Sequence, residues 1–308
     1  MLTQIQGLHH VTSMAGDARA NNDFFTHTLG LRRVKKTVNF DAPDVYHLYY
    51  GNGAGTPGTV MTYFPFPNIA KGRAGAGEVS VTAFAVPRGA LDYWRDRLAA
   101  ANAGPLGDST RFGERRLDFT GPDGDAFALV ETDSDMREPW TGAGVPEDVA
   151  IRGFHSVSLR LRDSAATDKL LRFMGYAPVD NAGGIERLAV ADGNGAGVVD
   201  LEAVASADPA RLGAGSVHHV AFAVADGAAQ LDVRKALVDT GHAVTPVIDR
   251  DYFRAIYFRT PGGVLFEVAT NDPGFDRDEE PAHLGEALKL PSQHAHLRAY
   301  LEEHLPEL

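Results

Sequence analysis

The chain contains no cysteine. Disulfides, zinc–thiolate sites, iron–sulfur clusters and thiol nucleophiles are thereby excluded, and any metal must be held by nitrogen and oxygen. Basic residues are also in deficit: 29 Lys and Arg stand against 41 Asp and Glu, a formal net charge of −12. Nucleic acids and anionic membranes both require a basic face, so neither is expected as a main partner. The acidic balance does not in turn imply a cationic substrate, because acidic surfaces commonly serve solubility. No apolar stretch approaches the length of a membrane span. The opening MLTQIQGLHH has neither a basic n-region nor an apolar h-region, and a cytoplasmic location is the default expectation. What is present is 308 residues, 44% hydrophobic and 23% charged, the profile of a globular protein with room for two domains.

The chain repeats itself. Segments opening at Gly7 (GLHHVTSMAGDARANNDFFTHTLG), Gly77 (GEVSVTAFAV), Gly153 (GFHSVSLRLRDSAATDKLLRFMG) and Gly215 (GSVHHVAFAV) each read as a strand, a turn and an amphipathic helix. The helices are expected to stop at Gly30, Gly104, Gly175 and Gly241, where glycine tolerates the left-handed conformation, and Asp17 and Asp163 sit where N-caps belong. Strands rich in Val, Tyr and Phe follow, such as 46–50 and 60–64. Each module closes on a strand, and two of these follow similar sequences, FTGPDGDAFALVE and FRTPGGVLFEVAT.

This pattern resembles the vicinal oxygen chelate superfamily, which includes glyoxalases, bleomycin-resistance proteins and extradiol dioxygenases, over about residues 5–271. The resemblance implies an α+β fold of four tandem βαβββ modules, paired into two cupped mixed sheets with a metal in the cup. Two modules are expected in 1–145 and two in 146–272. The tail, 273–308, reads as an acidic, Pro-rich link followed by a surface-packed amphipathic helix in SQHAHLRAYLEEHL.

The repeat itself separates candidate ligands from look-alikes. With Gly215 on Gly77, His219 falls on Val81; with Pro261 on Pro122, Glu267 falls on Ala128; with Gly7 on Gly153, His10 falls on Ser156 while His9 falls on His155. One module of each kind has kept His10, or His219 and Glu267, and its counterpart has lost them. Two histidines and a carboxylate form a facial triad with open positions, suited to Fe(II), with Mn(II) as the alternative. A lone His-His pair is more often structural. Two pairs at one repeat position, with a glutamate on the closing strand, reverse that reading. Regular strand alternation places the members of each pair on opposite faces, so one of each should reach the cup. The superfamily pattern makes it the second. His10 lies in module one and His219 and Glu267 in module four, so these modules must face each other, within the chain or across a homo-oligomer.

The motifs GLHHVT, LGLRRVKKTVNFD, YHLYYGNGAGTPGTVMTYFPFP, IRGFHSVSL, GSVHHVAF and DRDYFRAIYFRTPGGVLFEVATNDPGF resemble a narrower group, the ring-cleaving (chloro)hydroquinone 1,2-dioxygenases. That resemblance implies a small aromatic substrate, dioxygen as co-substrate, and His9, Thr12, His218, Arg250 and Tyr257 around the metal ligands. Chemically, Tyr257 or a neighbouring histidine could deliver a proton and Arg250 could stabilise developing negative charge. Without the resemblance, Arg250 reads as a surface ion pair, Tyr257 as strand packing, and His9 and His218 as packed histidines hydrogen-bonded to backbone. Lys35 and Lys36 read as a solvated strand edge, GNGAGTPG as a hairpin loop, and Phe64, Phe66 and Phe112 as core in preference to cup lining. The rivals are a catechol extradiol dioxygenase, a glyoxalase-type isomerase, which normally uses four protein ligands, and a metal-free binding module.

Overall fold

The computed structural model describes residues 1–133 and 135–308. Module one comprises β1 (Leu8–Ala15), α1 (Ala18–Asp23), β2 (Arg32–Val38), β3 (Tyr46–Gly51) and β4 (Val60–Pro65). Module two comprises β5 (Glu78–Pro87), α2 (Leu91–Ala100), β6 (Gly107–Arg111), β7 (Glu114–Thr120) and β8 (Ala126–Thr132). Module three comprises β9 (Gly153–Leu161), α3 (Ala165–Phe173), β10 (Ala177–Ala182), β11 (Ile185–Ala189) and β12 (Val198–Ala203). Module four comprises β13 (Ser216–Val224), α4 (Gly227–Asp239), β14 (Ile248–Asp249), β15 (Phe253–Arg259) and β16 (Leu265–Pro273). A 3-10 turn at Ser292–Leu297 and α5 (Arg298–His304) complete the tail.

Local chemistry accounts for most of the helix ends. The Asp17 side chain accepts from Ala20 N at the start of α1, and Asp226 does the same for Ala229 N at α4. Asp163 accepts from Ala165 N at 2.9 Å, although Ser164 holds the cap position of α3. Gly30, Gly175 and Gly241 take positive φ as expected. Gly104 does not. α2 ends at Ala100, and Asn102 takes the left-handed turn at φ 51°.

Two eight-stranded sheets result, ordered β14-β15-β16-β13-β1-β4-β3-β2 and β10-β11-β12-β9-β5-β8-β7-β6. Modules one and four build the first within a single chain, and modules two and three build the second. Each sheet therefore draws on both 1–145 and 146–272. The joins are antiparallel: β1 with β13, and β5 with β9. Both joins are irregular in the same places. His9 is skipped in the β1–β13 register and so is His218; Ser80 and His155 are skipped in β5–β9. These are β-bulges, which insert an unpaired residue and re-aim its side chain.

The tail packs on the edge of the first sheet. Lys289 N donates to Lys36 O at 2.9 Å, Arg33 Nε to Gly285 O at 2.9 Å, and Arg32 Nη2 to Ala282 O at 2.8 Å. Lys35 is thus not a solvated edge residue. It is fully buried, its Nζ 2.6 Å from Asp278 Oδ1 and 2.5 Å from Glu279 Oε2, and it lies 4.7 Å from the centre of the Tyr252 ring. The acidic link supplies its counter-charges and covers an edge that would otherwise offer unpaired backbone. GNGAGTPG does form the β3–β4 connection.

A buried side-chain contact links the sheets. Tyr63 OH on β4 donates to Asp125 Oδ1, next to β8, at 2.8 Å. Burial raises the Asp125 carboxyl from 3.8 to about 6, against the opposing pull of that bond. A raised carboxyl pKa means that folding favours the neutral acid. Its stabilisation is complete below about pH 3.8 and is lost as pH rises through about 6. Asp125→Asn keeps an acceptor for Tyr63 and removes the buried charge. The variant should be more stable than the parent at pH 8, by up to about 3 kcal/mol, with the advantage shrinking below pH 6. Urea midpoints measured at pH 8 and pH 4.5 check this; an equal difference at both would refute it.

Candidate metal centre

The β1–β13 register decides which side chains meet. Thr12 pairs with His219, His10 with Ala221, Ala221 with Glu267 across β13–β16, and Glu267 with Tyr257 across β16–β15. The concave face of the sheet therefore carries His10, His219 and Glu267 on three adjacent strands. Their nearest atoms form a small triangle: His10 Nε2 to His219 Nε2 is 3.3 Å, His10 Nε2 to Glu267 Oε2 is 3.4 Å, and His219 Nε2 to Glu267 Oε2 is 2.9 Å. All three residues are buried.

The pairs of histidines do not split across the sheet as regular alternation would require. The bulges keep both members close. His9 Nδ1 is 2.9 Å from His10 Nδ1, and His218 Nδ1 is 2.7 Å from His219 Nδ1. The first pair has a determinate proton order. His9 Nε2 lies 3.1 Å from the Thr270 carbonyl, which can only accept. His9 Nε2 therefore carries the proton, its Nδ1 accepts from His10 Nδ1, and His10 Nε2 is left with a lone pair facing the triangle. Burial, assisted by the neighbouring His10, lowers His9 to about 3, which keeps it neutral. Burial likewise lowers His218 to about 4 and lowers His219.

The residues fit a cation. Both Glu267 oxygens are buried without a hydrogen-bond donor, and the 2.9 Å approach to His219 lacks the direction of an N–H···O bond. Burial works against the Glu267 charge. A buried anion faced by imidazole lone pairs is unfavourable unless positive charge sits between them. Ligand atoms bonded at about 2.1 Å, at angles between octahedral and tetrahedral, lie about 3.0–3.4 Å apart, close to the observed triangle. Among the described residues this is the one group of three or more such side chains whose ligand atoms converge.

The triangle forms the floor of a cavity of about 370 Å³. Arg250 projects from the tight β14–β15 turn, where Asp251 takes φ 64°. It lines the cavity: its Nε is 3.3 Å from Tyr257 OH and its side chain is only 17% exposed, with the exposed Asp41 as its ion-pair partner. Burial, then the Glu267 charge, raises Tyr257 against the Arg250 cation, so the phenol stays protonated. Thr12, below the floor, lies 2.9 Å from Thr62 Oγ1.

Other wall residues were not singled out from sequence. His47 Nε2 is 2.9 Å from Thr62 Oγ1 and its Nδ1 is 2.8 Å from Tyr49 OH, which makes a buried chain from Thr12 to Tyr49. Burial holds His47 well below its ordinary value. Phe253 packs 4.9 Å from His10. A usable signal lay in YHLYY, where His47 and Tyr49 are two apart and so share a strand face. Phe64 and Phe66 line the cavity, contrary to the core reading. Phe112 does not; it lies 4.2 Å beneath Arg187 in the second sheet. His155 is in that sheet too, its Nε2 3.1 Å from Glu114 Oε1 and its Nδ1 3.0 Å from Ser156 Oγ.

Comparison with known proteins agrees with this architecture. Residues 7–129 match the model of the Glyoxalase/Bleomycin resistance protein/Dioxygenase superfamily. The chain is 41% identical over 99% of its length, and 97% of the relative's, to the Bacillus subtilis (strain 168) protein named "Putative ring-cleaving dioxygenase MhqO". It is 40% identical over 94% of its length, and 92% of the relative's, to the chlorohydroquinone/hydroquinone 1,2-dioxygenase of Sphingobium indicum. A crystal structure of a "putative dioxygenase from Bacillus subtilis subsp. subtilis str. 168" superposes with a TM-score of 0.96 at 40% identity, over 99% of this chain and 98% of that one. The chain belongs to the ring-cleaving dioxygenases of the glyoxalase/bleomycin resistance protein/dioxygenase superfamily.

Substitutions rank the histidines. His10→Ala should abolish Fe(II) retention after desalting. His9→Ala should keep metal with affinity weakened by about 10–100-fold, because it removes only the group that fixes the His10 tautomer. His155→Ala should retain metal fully. Iron content of the three proteins tests the order, and full occupancy in His10→Ala would overturn it.

Proposed function

We propose that the protein is an Fe(II)-dependent ring-cleaving dioxygenase acting on a hydroquinone-type aromatic, with His10, His219 and Glu267 as metal ligands. The carrying observation is the buried triangle of ligand atoms on the floor of an aromatic-walled cavity. The names of the relatives support the substrate class.

A bound Fe(II), or Mn(II) in its place, would supply Lewis acidity toward a phenol oxygen and electron transfer toward dioxygen. The remaining work falls to the protein. The His9–Thr270 bond holds the His10 proton on Nδ1, and so keeps the Nε2 lone pair directed at the site. Tyr257, kept protonated by burial, is a proton donor at its phenol oxygen. Arg250, bonded to that oxygen, offers fixed positive charge to the oxyanions that develop as the ring opens. Phe64 and Phe253 shape the walls for a ring and exclude water. The diphenol and dioxygen together contain every atom and electron of the ring-opened product, so no external reductant is required.

Three ligands fit this reading better than a glyoxalase-type isomerase, which normally uses four. Catechols are the remaining alternative substrates, and profiling separates them from hydroquinones.

After anaerobic loading with Fe(II), hydroquinone should consume one equivalent of dioxygen per ring opened, with both labelled oxygen atoms recovered in the product. Tyr257→Phe should lower kcat by about 10²–10⁴-fold and Arg250→Met by about 10²–10³-fold, both with metal content unchanged. Turnover of a thiol hemiacetal, with no oxygen uptake on any diphenol, would replace this reading with the isomerase.

A further inference from the structure

The roof of the cavity is held from outside by the C-terminal tail. Residues 39–45 join β2 to β3, and Asn39, Phe40, Asp41 and Ala42 line the cavity. On its inner side this loop meets Arg250, whose guanidinium lies 5.4 Å from the Phe40 ring centre and 3.5 Å from Asp41 Oδ2. The Asp41 side chain is 81% exposed, so that ion pair is solvent-screened and cannot by itself fix the loop.

The loop's own backbone bonds close it on itself: Asn39 N to Val45 O, Val45 N to Ala42 O, and Ala42 N to Asn39 O. They do not tie it to the rest of the protein. On the outer side, the Phe40 carbonyl accepts from His294 Nε2 at 2.8 Å and from Gln293 Nε2 at 3.2 Å, both in the Ser292–Leu297 turn. That turn is anchored at both ends. Lys289 N donates to Lys36 O before it, and Leu301 is buried and Pro306 O accepts from Tyr46 OH after it. One residue, Phe40, thus receives the tail on its carbonyl and presents its ring to Arg250.

We propose that residues 289–308 are a strap that fixes the cavity roof, with His294 as a positioning residue acting through Phe40 on Arg250. The strap thereby sets which ring substituents a diphenol may carry. The substrate part rests on the reading of the cavity as a diphenol site. The mechanical part does not.

The test uses full-length, Fe(II)-loaded protein. In a Gln293→Ala/His294→Ala double variant, backbone amides of 39–45 should exchange with deuterium at least about ten-fold faster, while β3 and β4 keep parent rates. KM for hydroquinone should rise about ten-fold, with iron content constant. Preference should shift toward hydroquinones with bulkier alkyl groups. His294→Gln, which keeps a side-chain N–H donor, should restore both exchange and KM. Unchanged exchange at 39–45 overturns the strap, whatever the kinetics. Faster exchange with unchanged KM and substrate preference overturns its role in selection. If the parent consumes oxygen with no diphenol, the functional reading and the selection role fall together, and exchange alone decides the mechanical role.

Discussion

Everything at the site depends on the antiparallel pairing of β1 with β13. His10 and His219 are 209 residues apart in the chain and 3.3 Å apart in space, and this pairing joins their modules directly. Side chains alternate along a strand, so a one-residue slip in this pairing would carry His219 away from His10 and leave Glu267 facing a different neighbour. The register is held by the flanking hydrophobic positions Leu8, Val11, Val220 and Phe222, all fully buried. The core and the ligand triangle therefore enforce the same alignment.

The second sheet shows which features of the join are independent of metal. It keeps both irregularities, at Ser80 and His155, although its positions corresponding to His219, Glu267 and His10 are Val81, Ala128 and Ser156. Its interior is occupied by Val81, Ala83, Ala128 and Val130, with ion pairs from Glu114 to Arg187 and from Arg187 to Asp200. The bulge is thus a property of the module join, which satisfies its own packing whether or not ligands are present. His155 still leans on its neighbour as His9 does, with Ser156 Oγ in place of an imidazole.

The same contrast explains what could be read in advance. The α+β modules, their pairing and the three converging side chains were legible because the repeat supplied an internal comparison, in which retained and lost residues could be set side by side. The bulges were not legible, since they depend on the register between distant strands and leave no local mark; regular alternation was therefore the wrong geometry for His9 and His218. His47 and Tyr49 lacked a matching polar pair in another module to draw attention to them. Lys35 looked like a solvated edge residue because its partners, Asp278 and Glu279, arrive from some 240 residues later, as the separations of 243 and 244 show. Long-range partners of this kind are invisible to patterns read within one module.

The bond from His9 to the Thr270 carbonyl has a consequence for how the protein matures. The first histidine pair emerges early in synthesis, whereas Glu267 and the carbonyl that sets the His10 tautomer emerge almost last, on the order of tens of seconds later at ordinary elongation rates. Modules two and three can close on each other in the interval, while β1 waits without its partner strand. A nascent chain therefore cannot bring His10, His219 and Glu267 together until module four has emerged.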